Sequence, residues 1–120
     1  MAESLNEQHP GEYTVYTLID DDGVVQYVGR TKNYEARMSQ HEKSAKTGHL
    51  GRGAKIDGLT WSQARGVEQW GMLYHHTLKG KLNSINGVSP KNSNRGAYLY
   101  AAWDYITNQI SNEFYNFIGV

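Results

Sequence analysis

Tyr16, Tyr27, Arg30, Arg37, His41 and Glu68 are the residues of this 120-residue chain whose types and spacing could do chemistry. Phenols and imidazole move protons, guanidinium groups grip anions through a fork of donors, and a carboxylate can hold a cation. Hydrolysis of a phosphodiester needs such groups. It requires a positioned, deprotonated water, charge neutralisation at the phosphate and help for the leaving oxygen. Taken singly, each residue also has a structural reading. A strand Tyr usually packs across strands, a helix Arg usually faces solvent, and a lone Glu usually sits on the surface. They make a site only if the fold brings them together.

The elements that must do so are legible in outline. Glu12 to Asp20 (EYTVYTLID) has the β-branched and aromatic content of a strand, Asp22-Gly23 is a hairpin signal, and Val24 to Arg30 is the returning strand. With a two-residue loop, paired numbers sum to 45, so Leu18 meets Tyr27 and Tyr16 meets Gly29. Tyr16 and Tyr27 then sit diagonally on one face. Asn33 can cap a helix to about Lys46, with Tyr34, Met38 and Ala45 on its inner stripe. Arg37 and His41 share a face of it at i,i+4. Thr47 to Gly53 reads as a Gly-rich loop and Ala54 to Leu59 as a short third strand. Thr60-Trp-Ser-Gln63 is a capping box opening a helix to about Lys79, with Trp61, Ala64, Val67, Trp70 and Tyr74 as its apolar stripe and Glu68 one residue off it. Gly80 to Asn94 reads as a loop, and Ala97 to Ile110 as a helix with Leu99, Ala102, Trp103, Ile106 and Ile110 inward. The order β-β-α-β-α-α predicts a small α+β fold, a three-stranded antiparallel sheet flanked by helices. Residues 1–11 read as a flexible lead-in, and 12–120 as one domain with a C-terminal helical extension.

Composition excludes several classes. With no Cys there is no disulfide framework, thiolate zinc site or Cys nucleophile. No stretch approaches the 18 apolar residues of a membrane span, and the first residues lack a signal-peptide pattern. His41-Glu42 begins like a zinc-protease helix, but position 45 is Ala. His75 and His76 point about 100° apart on a helix and cannot clamp one metal. Gly48, Gly51 and Gly53 make no phosphate-loop pattern, and no Ser sits in a nucleophile-elbow context. The net charge is zero, but it hides a split. Residues 1–29 hold six acids and no Lys or Arg, whereas residues 30–66 hold eight bases and three acids. A central basic segment suits a phosphate-facing surface.

In order, these residues resemble the GIY-YIG nuclease family. Thr14-Val15-Tyr16 stands where the family has Gly-Ile-Tyr, and Tyr27-Val28-Gly29 where it has Tyr-Ile-Gly, with ten residues between the tyrosines. Arg37 fits the helical arginine, His41 its Arg-x-x-x-His continuation, Glu68 the metal-binding glutamate, and Asn83 an asparagine that some members carry. Gln63-Ala-Arg-Gly-Val-Glu-Gln69 and Leu82-Asn-Ser-Ile-Asn-Gly-Val-Ser-Pro90 resemble the toxin-domain branch, found at the C-terminal ends of bacterial Rhs-type and contact-dependent inhibition proteins.

That resemblance implies a metal-dependent endonuclease toxin, using Mg²⁺ or Mn²⁺ on Glu68. It would be released from a producing cell and act on nucleic acid, DNA before RNA, in a competitor's cytoplasm. It also implies a cognate immunity protein. Arg37 would neutralise the phosphate, Tyr16 and Tyr27 would position and deprotonate the water with Tyr16 as the base, and His41 would hydrogen-bond a tyrosine or a phosphate. Arg30, Lys32, Arg65 and Asn83 would contact substrate. Two other readings use the same features. Segment 30–66 would serve a non-catalytic nucleic-acid binder, and the acidic start and hairpin tip would serve a protein-interaction module.

Overall fold

Alternation along one strand divides the molecule into layers. In the computed structural model, which describes residues 11–75 and 91–108, the elements are β1 (Tyr13–Ile19), β2 (Val25–Thr31), α1 (Tyr34–Lys43), β3 (Gly51–Leu59), α2 (Trp61–His75) and α3 (Arg95–Asn108). The sheet is antiparallel in the order β2-β1-β3, so β1 is central. Successive side chains of a strand point to opposite faces. Tyr13 and Val15 pack with Val28, Ile56, Leu59, Ala64, Val67, Met72 and Ala102 under α2 and α3. Tyr16 and Leu18 pack with Met38 of α1, and Tyr27, Tyr34 and Leu50 lean against that cluster. Burial on both faces explains why β1 reads apolar and aromatic almost throughout. This is the α+β architecture and element order expected from the sequence.

The hairpin register matches the expectation over the residues that matter: Tyr16 opposes Gly29 and Leu18 opposes Tyr27. The turn itself is different. It is not a two-residue loop. Asp20 N–H donates to Val24 O and Gly23 N–H to Asp20 O, with Gly23 at φ +79°. Ile19 opposes Val25, so Gln26 is an extra residue that restores the register. The Asp20 carboxylate holds the turn by accepting from the Asp22 and Val24 amides and the Gln26 side chain.

The Asn33 side chain accepts from Ala36 N and caps α1 as expected. The helix ends at Lys43 rather than near Lys46, because Ser44 turns extended and Thr47 folds back onto the His41 carbonyl. Ala45 is therefore exposed, and His41 joins Met38 as the buried residues of the helix. Gly51 to Gly53 is strand rather than loop. A Cβ at Gly53 would lie 2.2 Å from Thr17 Oγ1, so β3 can approach β1 there only without a side chain.

The capping box of α2 is present in both directions: Gln63 N–H donates to Thr60 Oγ1 at 3.2 Å, and Thr60 N–H to Gln63 Oε1 at 3.0 Å. The apolar stripes expected on α2 and α3 are only partly inward. Trp70, Tyr74 and Trp103 are exposed, and Ser62, Ala64, Gly66, Val67 and Met72 with Tyr98, Ala101 and Ala102 form the buried faces. The reason is close packing at Gly66, where a Cβ would stand 2.1 Å from Tyr98 O and 2.6 Å from the Ala102 methyl. Backbone contact rotates small residues inward and large rings outward. Lys79, Asn83, residues 80–90, Ile110 and the tail beyond it lie outside the described residues.

Gly66→Ala should force the two helices apart. The expected loss is about 1–3 kcal/mol, the usual cost of overpacking, read as a lower urea midpoint. Gly96→Ala on α3 has open space around its Cβ and should be neutral or stabilising by up to about 1 kcal/mol.

Candidate active site

Tyr16 lies at the centre of the sheet and is fully buried. Its hydroxyl is 2.7 Å from His41 Nε2 and accepts from Arg37 Nε–H at 3.4 Å. Both partners come from α1, four residues apart, which is why a single helical turn delivers them to one atom. The Tyr27 ring, diagonal across the hairpin, is 6.2 Å from the Tyr16 ring and 5.1 Å from the imidazole, centroid to centroid. Gly29 makes the arrangement possible. A Cβ there would sit 2.5 Å from the Tyr16 hydroxyl oxygen and 2.8 Å from the Tyr27 ring.

An open cleft of about 500 Å³ lies beside this group, lined by Tyr27, Arg37, Gln40, His41, Ser44, Lys46 and Thr47. Tyr27 and His41 face it, whereas Tyr16 stands behind them. Arg37 is oriented by a second bond, from Nη1 to Gln40 Oε1 at 2.8 Å. Burial pushes the Tyr16 hydroxyl well above the ordinary phenol range, with the neighbouring Tyr27 adding to the effect and Arg37 opposing it. Burial, then the charge of Arg37, pushes His41 below the usual imidazole value. At neutral pH the pair is thus a neutral phenol against a neutral imidazole.

Glu68 belongs to a second group on the other face of the sheet. Arg30 is next to Gly29 on β2 and points the opposite way, toward α2, where it forms an ion pair with Glu68. The Glu68 carboxyl is buried, and desolvation raises its pKa against the pull of Arg30 and Arg65. Both cations lie close to the Trp61 ring: the Arg30 and Arg65 guanidinium carbons are 5.1 and 5.0 Å from its centroid, and Arg65 is also 4.6 Å from the Tyr98 centroid. The sequence-derived set is therefore brought together as two groups. Tyr16, Tyr27, Arg37 and His41 are on the α1 side, and Arg30, Arg65 and Glu68 on the α2 side. β2, an edge strand, contributes to both: Tyr27 to the first group and Arg30 to the second. Lys32 is exposed, 3.6 Å from the Glu12 carboxylate and 5.4 Å from the Tyr13 ring centroid. Asn83 lies outside the described residues.

Sequence reasoning missed Thr47, Gln40 and Trp61 as site residues. Gln40 sits at i+3 from Arg37 and could have been found from helical spacing. Trp61 was placed only in an apolar stripe. Thr47 carried no signal at all, because it follows the helix in a stretch that reads as loop.

A model of the GIY-YIG catalytic domain matches residues 12–83, from the start of β1 to beyond α2. Comparison with curated proteins returned no match, and neither did comparison with solved structures. The matched span takes in both faces of the sheet and hence both groups, so this chain belongs to the GIY-YIG family of nucleases, hydrolases that cut phosphodiester bonds.

Proposed function

We propose that this domain is the nuclease of a bacterial toxin, cutting DNA in the cytoplasm of competitor cells and held in check in the producer by an immunity protein. The toxin reading rests on the resemblance of Gln63–Gln69 and Leu82–Pro90 to that branch. The cleavage reading is carried by one observation: the Tyr16 hydroxyl lies between Arg37 Nε and His41 Nε2 beside a cleft that Tyr27 lines.

Nucleases of this family typically depend on a divalent metal. Among the described residues no three His, Asp or Glu side chains gather as a cation cage. The available donor is one carboxylate, and Mg²⁺ or Mn²⁺ retaining several waters suits one carboxylate. Glu68 fits that task, since it is desolvated and already takes a cationic partner in Arg30. A metal held there supplies Lewis-acid stabilisation of charge on the phosphate and the leaving oxygen.

The chain's own groups supply the rest. Arg37 presents its fork of donors to the non-bridging oxygens. Tyr27, at the cleft, orients the attacking water. Tyr16, behind Tyr27, takes the water's proton by way of the Tyr27 hydroxyl as its own passes to His41 Nε2, while the water oxygen bonds to phosphorus and the bond to the leaving oxygen breaks. The transfer runs with the attack rather than ahead of it. Reference pKa values near 10 and 6.5 put prior transfer about 5 kcal/mol uphill, and the two shifts in this structure widen that gap. Arg30 and Arg65, across the β2 edge, would meet a nucleic-acid backbone lying along it.

Purified protein with Mg²⁺ should nick or linearise plasmid DNA. Glu68→Ala and Tyr27→Phe should each lower the rate by about 10²-fold or more. A wild type inert on both plasmid and structured RNA sinks the enzyme reading, and cleavage of RNA alone overturns the choice of DNA. Expression in bacteria lacking the immunity protein should arrest growth with nucleoid loss, and Glu68→Ala should not.

The pH profile carries a second expectation. Neutral His41 is the proton acceptor and its pKa is lowered, so activity persists on acidification through the ordinary imidazole range. The acid limb of kcat should therefore titrate below 6.5. A limb at or above 6.5 would count against His41 as acceptor.

A further inference from the structure

We infer that Thr47 sets the tautomer of His41, and thereby the direction in which Tyr16 can pass its proton. The Thr47 side chain is buried, and its hydroxyl donates to the His41 backbone carbonyl at 3.0 Å. A hydroxyl has one proton. Toward His41 Nδ1, also 3.0 Å away, the same oxygen can therefore only accept. Nδ1 must carry the hydrogen, and a neutral imidazole then has its lone pair on Nε2. That lone pair faces the Tyr16 hydroxyl at 2.7 Å. Tyr16 in turn accepts from Arg37 Nε–H, which leaves its own proton for Nε2.

Every bond in the run has one polarity: Arg37 to Tyr16, Tyr16 to His41 Nε2, His41 Nδ1 to Thr47, Thr47 to the His41 carbonyl. Reversing the tautomer breaks it. With hydrogen on Nε2, the imidazole becomes a donor to Tyr16, and the Tyr16 proton has no acceptor there. Thr47 would have to abandon the carbonyl to donate to Nδ1, so that one of the two hydrogen bonds that carbonyl accepts, from Thr47 and from Ser44 N–H, is lost with nothing gained in exchange. Once His41 is protonated, Thr47 still accepts from Nδ1–H, so it also serves the charged intermediate. Thr47 touches no reacting atom and is a positioning residue.

The titratable and charged groups around His41 are Tyr16 of β1, Tyr27 of β2, Arg37 and Glu42 of α1, Lys46 in the following turn and Arg52 of β3. Of the contacts at the imidazole nitrogens, Thr47 is the one at Nδ1 and Tyr16 the one at Nε2.

The tautomer assignment stands on hydrogen bonding alone; its catalytic consequence rests on the nuclease reading above. Long-range ¹H–¹⁵N spectra of the imidazole nitrogens, with His41 identified by loss of its signals in His41→Gln, test the first without any cleavage assay. The wild type and Thr47→Ser should show protonated Nδ1 and an acceptor Nε2. Thr47→Val should shift the population toward Nε2–H. Wild-type signals with Nε2 protonated overturn the inference, as does Thr47→Val with the wild-type pattern. Kinetics tests the second. Thr47→Val should lower kcat by about 10–100-fold with KM unchanged and displace the acid limb, and Thr47→Ser should restore both. A valine variant with wild-type kcat and limb overturns the catalytic role even if the tautomer is as assigned. A purely structural threonine would lower the melting temperature and move neither readout. Should Thr47→Val not fold, the wild-type and serine spectra still decide the tautomer, and serine kinetics decides the role.

Discussion

A phenol hydroxyl buried without a partner costs several kilocalories per mole, and the Tyr16 hydroxyl is fully buried in the centre of the sheet. Much of the α1 side follows from that constraint. An acceptor must stand within hydrogen-bonding reach, and His41 Nε2 does. The imidazole must then be neutral and correctly protonated, which brings in burial, Arg37 and Thr47. The strand opposite must leave room for the hydroxyl, so position 29 has no side chain. The helix must stop at Lys43, so that the chain can double back and place Thr47 under the ring. One polar atom in an apolar layer thus connects the end of a helix, a glycine in a hairpin and a tautomer.

The other face obeys the same electrostatics with a different outcome. Glu68 is removed from water on a helix whose other buried residues, Gln69 apart, are small or apolar. A buried ion pair seldom adds net stability, because desolvation offsets most of the attraction. A well-packed apolar residue would serve α2 at least as well. The carboxylate is therefore better explained by chemistry than by folding, and Arg30 and Arg65 work against the burial that would neutralise it. The arginines stacked about Trp61 add to this, since a guanidinium over an aromatic face is held without neutralising its charge.

Legibility in the sequence followed the range of the interactions. Local chemistry was readable. The Asn33 cap and the Thr60–Gln63 box depend on residues three positions apart, the diagonal of the two tyrosines depends on one hairpin, and the structure has them. Even the wrong turn preserved the register, because the extra residue Gln26 compensates for a longer loop. Nonlocal packing was not readable. Hydrophobic periodicity placed Trp70, Tyr74 and Trp103 inward, but backbone approach at Gly66 selects small residues for the contact, and no periodicity rule weighs a glycine above a tryptophan. For the same reason the ion pair of Arg30 with Glu68, 38 positions apart, could not be foreseen, and Arg30 stood beside the tyrosines in sequence while pointing away from them in space.

The basic segment shows how charge counts mislead unless partners are known. Of its eight bases, Lys32, Arg52 and Lys55 pair at the surface with Glu12, Glu35 and Asp57, and Arg30 pairs in the interior with Glu68. Exposed pairs are screened by solvent and contribute little, so an arriving phosphate can open them easily. The bases lining the cleft are Arg37 and Lys46. Long-range attraction for a polyanion is consequently weak, as zero net charge requires, and selectivity has to come from the few donors at the cleft. The acids near the start are not simply a counterweight either. Asp20 spends its carboxylate on the Asp22 and Val24 amides and on Gln26, which sets the turn that puts Tyr27 opposite Leu18. An acid that cancels charge in the composition is, in the fold, one of the groups that bring the two tyrosines together.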